Sequence, residues 1–191
     1  MKQMQYKVGI AGHRYLGGLE AENYVRFCCF RLLTEFKAKY ANLTAVSAAS
    51  EGADTIFSEV ALSLEIELNT VIPFEDFSED FDSELSLEKN NALRYRSTKS
   101  EFANFSKRSI SAYKKSMEWV VIKSHCLIGV WDGQCAGSPG GTRRAIELAK
   151  SIGKPVFYIN PRNHTLGYCG TAKEKHVVTS RLEANEIGGY V

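Results

Sequence analysis

Apolar positions along the chain follow two rhythms. Short unbroken runs at residues 5–11, 43–48, 68–73, 126–132 and 155–159 are bounded by turn residues, which predicts five strands. Between them the spacing changes to three and four. Residues 19–40 carry Val25, Cys28, Leu32 and Phe36 on one side of a helix, with Glu22, Arg26 and Lys37 elsewhere on the cylinder. Ala53, Ile56, Phe57, Val60, Ala61 and Leu64 form a second helical stripe. A further amphipathic helix is expected at 142–152, before a Gly-Lys-Pro turn. Strands alternating with helices of this length predict an α/β, Rossmann-like doubly wound parallel sheet of about five strands, with helices on both faces and right-handed crossovers.

Residues 74–100 break that rhythm. The run FEDFSEDFDSELS holds six acidic residues among three phenylalanines, and the stretch after it is polar, so a loop and a short helix over the carboxyl edge are expected. A long helix is predicted over 101–122, where Phe102, Phe105, Ile110, Tyr113, Met117, Trp119, Val120 and Val121 spread over a wide arc. Such an arc covers its second face with another element or another subunit, and a homodimer or higher homo-oligomer is the expectation. The competing arrangement folds Phe74, Phe77 and Phe81 back over that face and leaves a monomer. Residues 161–191 show little periodicity beyond Val177, Val178 and Ile187. One domain over residues 1–191, with its core at 5–160 and a tail at 161–191, fits a chain of this length.

Composition narrows the classes. Hydrophobic content of 44% and charge of 24% are those of a soluble globular domain. A net charge of +2 gives no bulk electrostatic drive toward nucleic acid, and the apolar runs are too short for a membrane span. No signal peptide is read at the start, and five cysteines without CxxC spacing fit a reduced, cytoplasmic protein. No metal site and no cofactor are read from the residues.

The chemistry concentrates at the loops after the strands, where open parallel sheets bind ligands. The segment 126–159 is the richest. Its strand ends in Trp131-Asp132-Gly133, its loop holds Gly133, Gly137, Gly140 and Gly141, and Thr142 opens the helix. Glycines admit close approach to a ligand, and a helix N-terminus favours an anion. Arg143 and Arg144 in the first turn oppose the helix dipole, which a nearby phosphate would explain. Asp132-Gly133 is equally a common turn pair. After the first strand stand Gly12, His13 and Arg14. The Arg14 fork suits a phosphate or simply lies on the surface, and His13 is a structural group or a base. After the second strand, Ser50, Glu51, Gly52 and Asp54 have two readings. Ser50 caps the next helix with Asp54 in its first turn, or Glu51 or Asp54 holds ribose hydroxyls.

Four pieces together resemble the SLOG superfamily, which joins the DNA-processing SMF proteins to the Lonely Guy phosphoribohydrolases. They are VGIAGHR at 8–14, AASEGAD at 48–54, AYKKSMEWVVIKSHCLIGVWDG at 112–133, and GSPGGTRRAIELA beyond it. The resemblance is nearest to the bacterial nucleotide-sensing branch found in anti-phage systems, and spans about residues 5–160. It implies a nucleotide-derived ligand such as a cyclic ADP-ribose isomer or a cyclic oligonucleotide, pairing through helices, and a separate effector chain. The Lonely Guy motif PGGxGTxxE is not matched. Here Thr142 follows Gly141 directly and Glu147 lies five residues past the threonine, turned about 200° from the motif's direction. Glu51 or Glu75 could stand in as the carboxylate. A sensor is therefore favoured over an N-glycosidic-bond hydrolase or transferase, and single-stranded DNA binding is disfavoured by the near-neutral charge.

Overall fold

The computed structural model describes residues 5–134 and 141–170. In chain order the elements are β1 (Tyr6–Gly12), α1 (Leu19–Lys39), β2 (Leu43–Ser47), α2 (Ala53–Ser63), β3 (Glu67–Ile72), a 3-10 turn (Phe77–Asp80), α3 (Glu84–Arg96), β4 (Lys99–Phe102), α4 (Ile110–Lys123), β5 (Cys126–Val130), α5 (Thr142–Ser151), β6 (Val156–Asn160) and β7 (Thr165–Cys169). The strands form one sheet in the order β4-β3-β2-β1-β5-β6-β7. All neighbours are parallel except β7, which closes one edge antiparallel to β6.

Both faces of the sheet are covered, which is why its central strands read as unbroken apolar runs. Val8, Ile10, Ala45, Leu68 and Ile128 pack on one face with Val25, Leu32, Leu33 and Phe57 of α1 and α2. Val46, Val71, Leu127 and Val156 turn to the other, against Val120 and Val121 of α4 and Ile146 and Ala149 of α5. Each fully buried Leu or Phe contributes about 1.5–3 kcal/mol. The winding reverses beside β1. From β1 the chain runs outward through β2 and β3 to β4, then returns through α4 to β5 on the other side of β1. The carboxyl ends of β1 and β5 are thus the switch point of the sheet.

Two edge strands extend the expected five to seven. β4 is short and largely exposed, so it shows no apolar run. It is held by its ladder to β3, by the hydroxyl pair Thr70–Ser100 at 2.8 Å, and by Glu101 between Lys99 and Lys123. β7 alternates exposed and half-buried positions within a tail read as patternless. The long helix expected over 101–122 is also corrected. Phe102 belongs to β4, and α4 begins at Ile110, where the Ser109 hydroxyl caps it by accepting the Ala112 N–H at 3.1 Å. The 74–100 stretch holds a helix of 13 residues, α3, longer than the short one expected. Phe74 and Phe77 are buried with Ile72 and Ala112, and Phe81, Phe105 and Tyr113 close over them. Phe74 meets Phe77 and Tyr113 edge-on at 5.4 and 5.6 Å between ring centres. The acidic insert therefore folds back as the competing arrangement has it, and the wide apolar arc is shared between a strand, a loop and a shorter helix. Val177, Val178 and Ile187 lie outside the described residues. Among the described residues no helix is long and apolar enough to cross a membrane.

Candidate functional site

β1 and β5 stay in register up to Gly12 beside Val130, and the His13 N–H donates to the Val130 carbonyl at 3.2 Å. Beyond that point the two chains diverge toward α1 and α5. The His13 ring crosses the gap to Asp132 twice: its Nε2 lies 3.1 Å from Asp132 Oδ1 and faces the Asp132 backbone N–H at 3.3 Å. The same oxygen accepts the Gln134 N–H at 2.9 Å. Partial burial works to raise the Asp132 carboxyl, but the bonds from Gln134 and His13 outweigh it and hold its pKa below the ordinary value. Asp132 is held as a carboxylate, and its side chain and backbone N–H together position the His13 ring.

The turn between β2 and α2 rests directly on the first loop. The Ala53 N–H donates to the His13 carbonyl at 3.1 Å. Gly52 sits at φ +79°, and a Cβ there would come within 2.2 Å of the Arg14 carbonyl oxygen. At Gly12 a Cβ would lie 2.3 Å from that of Ala53. Chain against chain therefore accounts for both glycines without a ligand. The N-cap of α2 is Gly52, with no side-chain cap, so the cap expected of Ser50 is corrected. The Ser50 carbonyl instead accepts the Thr55 hydroxyl at 2.7 Å. Asp54 turns back to the end of β2 and accepts the Ala48 N–H at 3.1 Å and the Ser47 hydroxyl at 3.3 Å. Burial dominates and pushes its pKa up to about 7.

Arg14 is enclosed by carboxylates. Its Nη2 meets Asp80 Oδ2 at 2.5 Å, its Nη1 donates to the Asp80 carbonyl at 3.2 Å, and its Nε lies 3.6 Å from Glu51 Oε2. The Asp80 side chain is only 1% exposed, and its other oxygen faces Arg108 Nε at 3.0 Å. Burial, with Asp80 adding to it, pushes the nearby Tyr113 phenol up to about 12. Arg14 thus clasps the 3-10 turn onto the first loop.

The helix α5 begins at Thr142, as the sequence indicates, with Gly141 as N-cap and no side chain capping it. Gly141 has φ −78°, a conformation open to any residue. Arg143 pairs along the helix with Glu147 at 2.7 Å, which turns that glutamate to its own helix. Arg144 is exposed and has no ion-pair partner among the described residues.

These loops surround an open cleft of about 1010 Å3. Gly12, His13, Arg14, Ser50, Asp54, Gly141, Thr142 and Arg143 line it. Glu51, Gly52, Asp132 and Gly133 do not; Glu51 pairs with Arg14, Gly52 packs on the Arg14 carbonyl, Asp132 holds His13, and Gly133 takes a positive φ of +85° in open space. Gly140 lies outside the described residues. Glu75 is exposed, with its N–H on the Phe105 carbonyl, and is not among the lining residues. The sequence reading missed Arg108, Tyr113, Met117, Trp131 and Leu148 as parts of this wall. Trp131 was legible at the strand end, whereas Arg108 and Tyr113 entered only once α4 was placed. No group of three or more His, Cys, Asp or Glu among the described residues is arranged to hold a metal ion.

No family model matches the chain, and the search of curated proteins finds no match. Solved structures do share its shape. DNA processing protein A from Streptococcus pneumoniae superposes with a TM-score of 0.60 at 16% identity, over 95% of this chain and 57% of that one. The chain thus spans little more than half of that protein. DNA processing protein A from Helicobacter pylori, described by its single-stranded DNA binding, gives 0.59 at 16% identity over 94% and 81%. The molybdenum cofactor carrier protein of Chlamydomonas reinhardtii gives 0.52 at 16% identity over 95% and 87%. The protein has the Rossmann-like fold of these structures, the fold that the SLOG resemblance implies.

Proposed function

We propose that the protein binds a nucleotide-derived ligand in the switch-point cleft, as a sensor or captor of a signal, with a ligand phosphate on the first turn of α5. One observation carries this reading: α5 starts at the cleft with Gly141, which has no side chain to cap it, and places Arg144, which has no ion-pair partner among the described residues, in its first turn. An arginine there opposes the helix dipole, and an anion would offset both. Trp131, in the lining of the same cleft, offers a flat apolar surface for a base. The neighbours' descriptions, DNA processing and cofactor carriage, support a fold used to hold nucleic acid or a cofactor.

Calorimetry against AMP, ADP-ribose and cyclic oligonucleotides tests the proposal. At least one binds the parent, and Gly141→Val, tolerated at this φ, loses that binding through its bulk. Unchanged affinity in folded Gly141→Val refutes the phosphate position. In the anti-phage setting that the resemblance implies, the signal would pass to a second copy of the chain or to a separate effector. Light scattering with and without nucleotide checks the first route, which a monomeric mass in both removes.

One observation favours a second reading as an N-glycosidic-bond hydrolase or transferase. Asp54 is a buried carboxyl with a near-neutral pKa lining the cleft, the profile of an acid–base group. Freed base on incubation with nucleoside monophosphates, lost in Asp54→Asn, would establish it.

A further inference from the structure

Arg144 lines the same cleft as Arg108. Arg108, just before α4, gives its Nε to buried Asp80 and still leaves 68% of its side chain exposed. The helices α4 and α5 are neighbours on one face of the sheet, and both start at its carboxyl edge. Arg14 cannot serve as the second cation, because Asp80 and Glu51 already enclose it. The start of α4 cannot either, because Ser109 caps it. The same cleft is lined by the apolar Ile110, Met117, Trp131 and Leu148, beside polar groups that include Ser116 and Glu147. Ile110 is 61% exposed there. The volume, about 1010 Å3, is at the upper end of the usual range for ligand pockets.

We propose that the cleft takes a ligand with two anionic groups joined by a flat, largely apolar body, one group on Arg144 and the other on Arg108. The chemical class is a molecule of dinucleotide size with two phosphates, not a mononucleotide. This rests on the nucleotide reading of the cleft and adds its second end.

The test is equilibrium titration of the full chain with AMP and with a 5′-phosphorylated diadenylate, at one ionic strength. The diadenylate binds tighter by about tenfold or more, the scale of one added charge-assisted contact. Arg108→Gln brings that ratio close to one, and Arg108→Lys restores part of it. Arg144→Gln weakens both probes. Arg96→Gln, at the end of α3 and not among the lining residues, changes neither. Thermal melts of each variant confirm that the fold is kept. Equal affinity of the parent for the two probes overturns the proposal, as does a ratio that survives Arg108→Gln. A ten-residue oligothymidylate binding tighter than the diadenylate overturns it too, in favour of a groove for a nucleic-acid strand. If AMP binds and the diadenylate gains nothing, the second anion site alone falls. If neither binds, the nucleotide reading falls with it.

Discussion

Asp54 carries a carboxyl group to a place where ionisation is costly. Its folded pKa of about 7 lies above the ordinary 3.8, so the folded chain holds a proton that the unfolded chain has released between those values. Stability therefore falls as pH rises through that window and is level above it. Asp54→Asn removes the decline. The variant gains on the parent between about pH 4 and pH 8, on the order of 2–4 kcal/mol. Urea unfolding across that range measures it, and parallel curves for the two proteins contradict it. The sequence placed Asp54 in the first turn of a helix, and it is there. It gave no sign that the side chain turns back to Ala48 and Ser47, because that depends on how α2 seats on the sheet. Arg14 shows the same limit. Its position at the end of β1 was legible, but its carboxylate partners come from 37 to 68 residues away in the chain, beyond the reach of any local spacing.

Elements were legible where a buried face imposed a period. The strands β1, β2, β3, β5 and β6 lie in the core and stand out as apolar runs, whereas β4 and β7 are edges whose exposed positions dilute any pattern. The start of α4 was misplaced because Phe102 and Phe105 continue its aromatic run while belonging to a strand and a loop. Its end is held by a residue that spacing could not nominate. Lys154, in the turn after α5, donates its ammonium to the carbonyls of Val121 and Ile122 at 2.8 and 2.6 Å, and to that of Ser124. A cation on the last carbonyls satisfies them and complements the helix dipole. Lys154→Met should cost about 1.5–3 kcal/mol. Hydrogen exchange should quicken first at the end of α4, and a melting temperature equal to the parent's would show the contact to be idle.

At the scale of the whole molecule, topology brings the candidate loops together. Placing β1 between β2 and β5 gathers the ends of three strands, and the cleft follows from that order. The sequence read this convergence for the loops after β1, β2 and β5, whereas Glu75 after β3 is not among the lining residues. What it could not supply was the far wall, because α4 reaches the cleft only by crossing the sheet from β4 to β5. The most direct test of a nucleotide site here is an amide chemical-shift map of the isotope-labelled protein during titration with the 5′-phosphorylated diadenylate. Saturable shifts confined to the cleft lining, at His13, Arg108, Thr142, Arg143, Arg144 and the Trp131 indole, are the predicted result. Shifts absent at saturating ligand, or gathered instead on the outer face of α1 around Phe27 and Phe30, would contradict it.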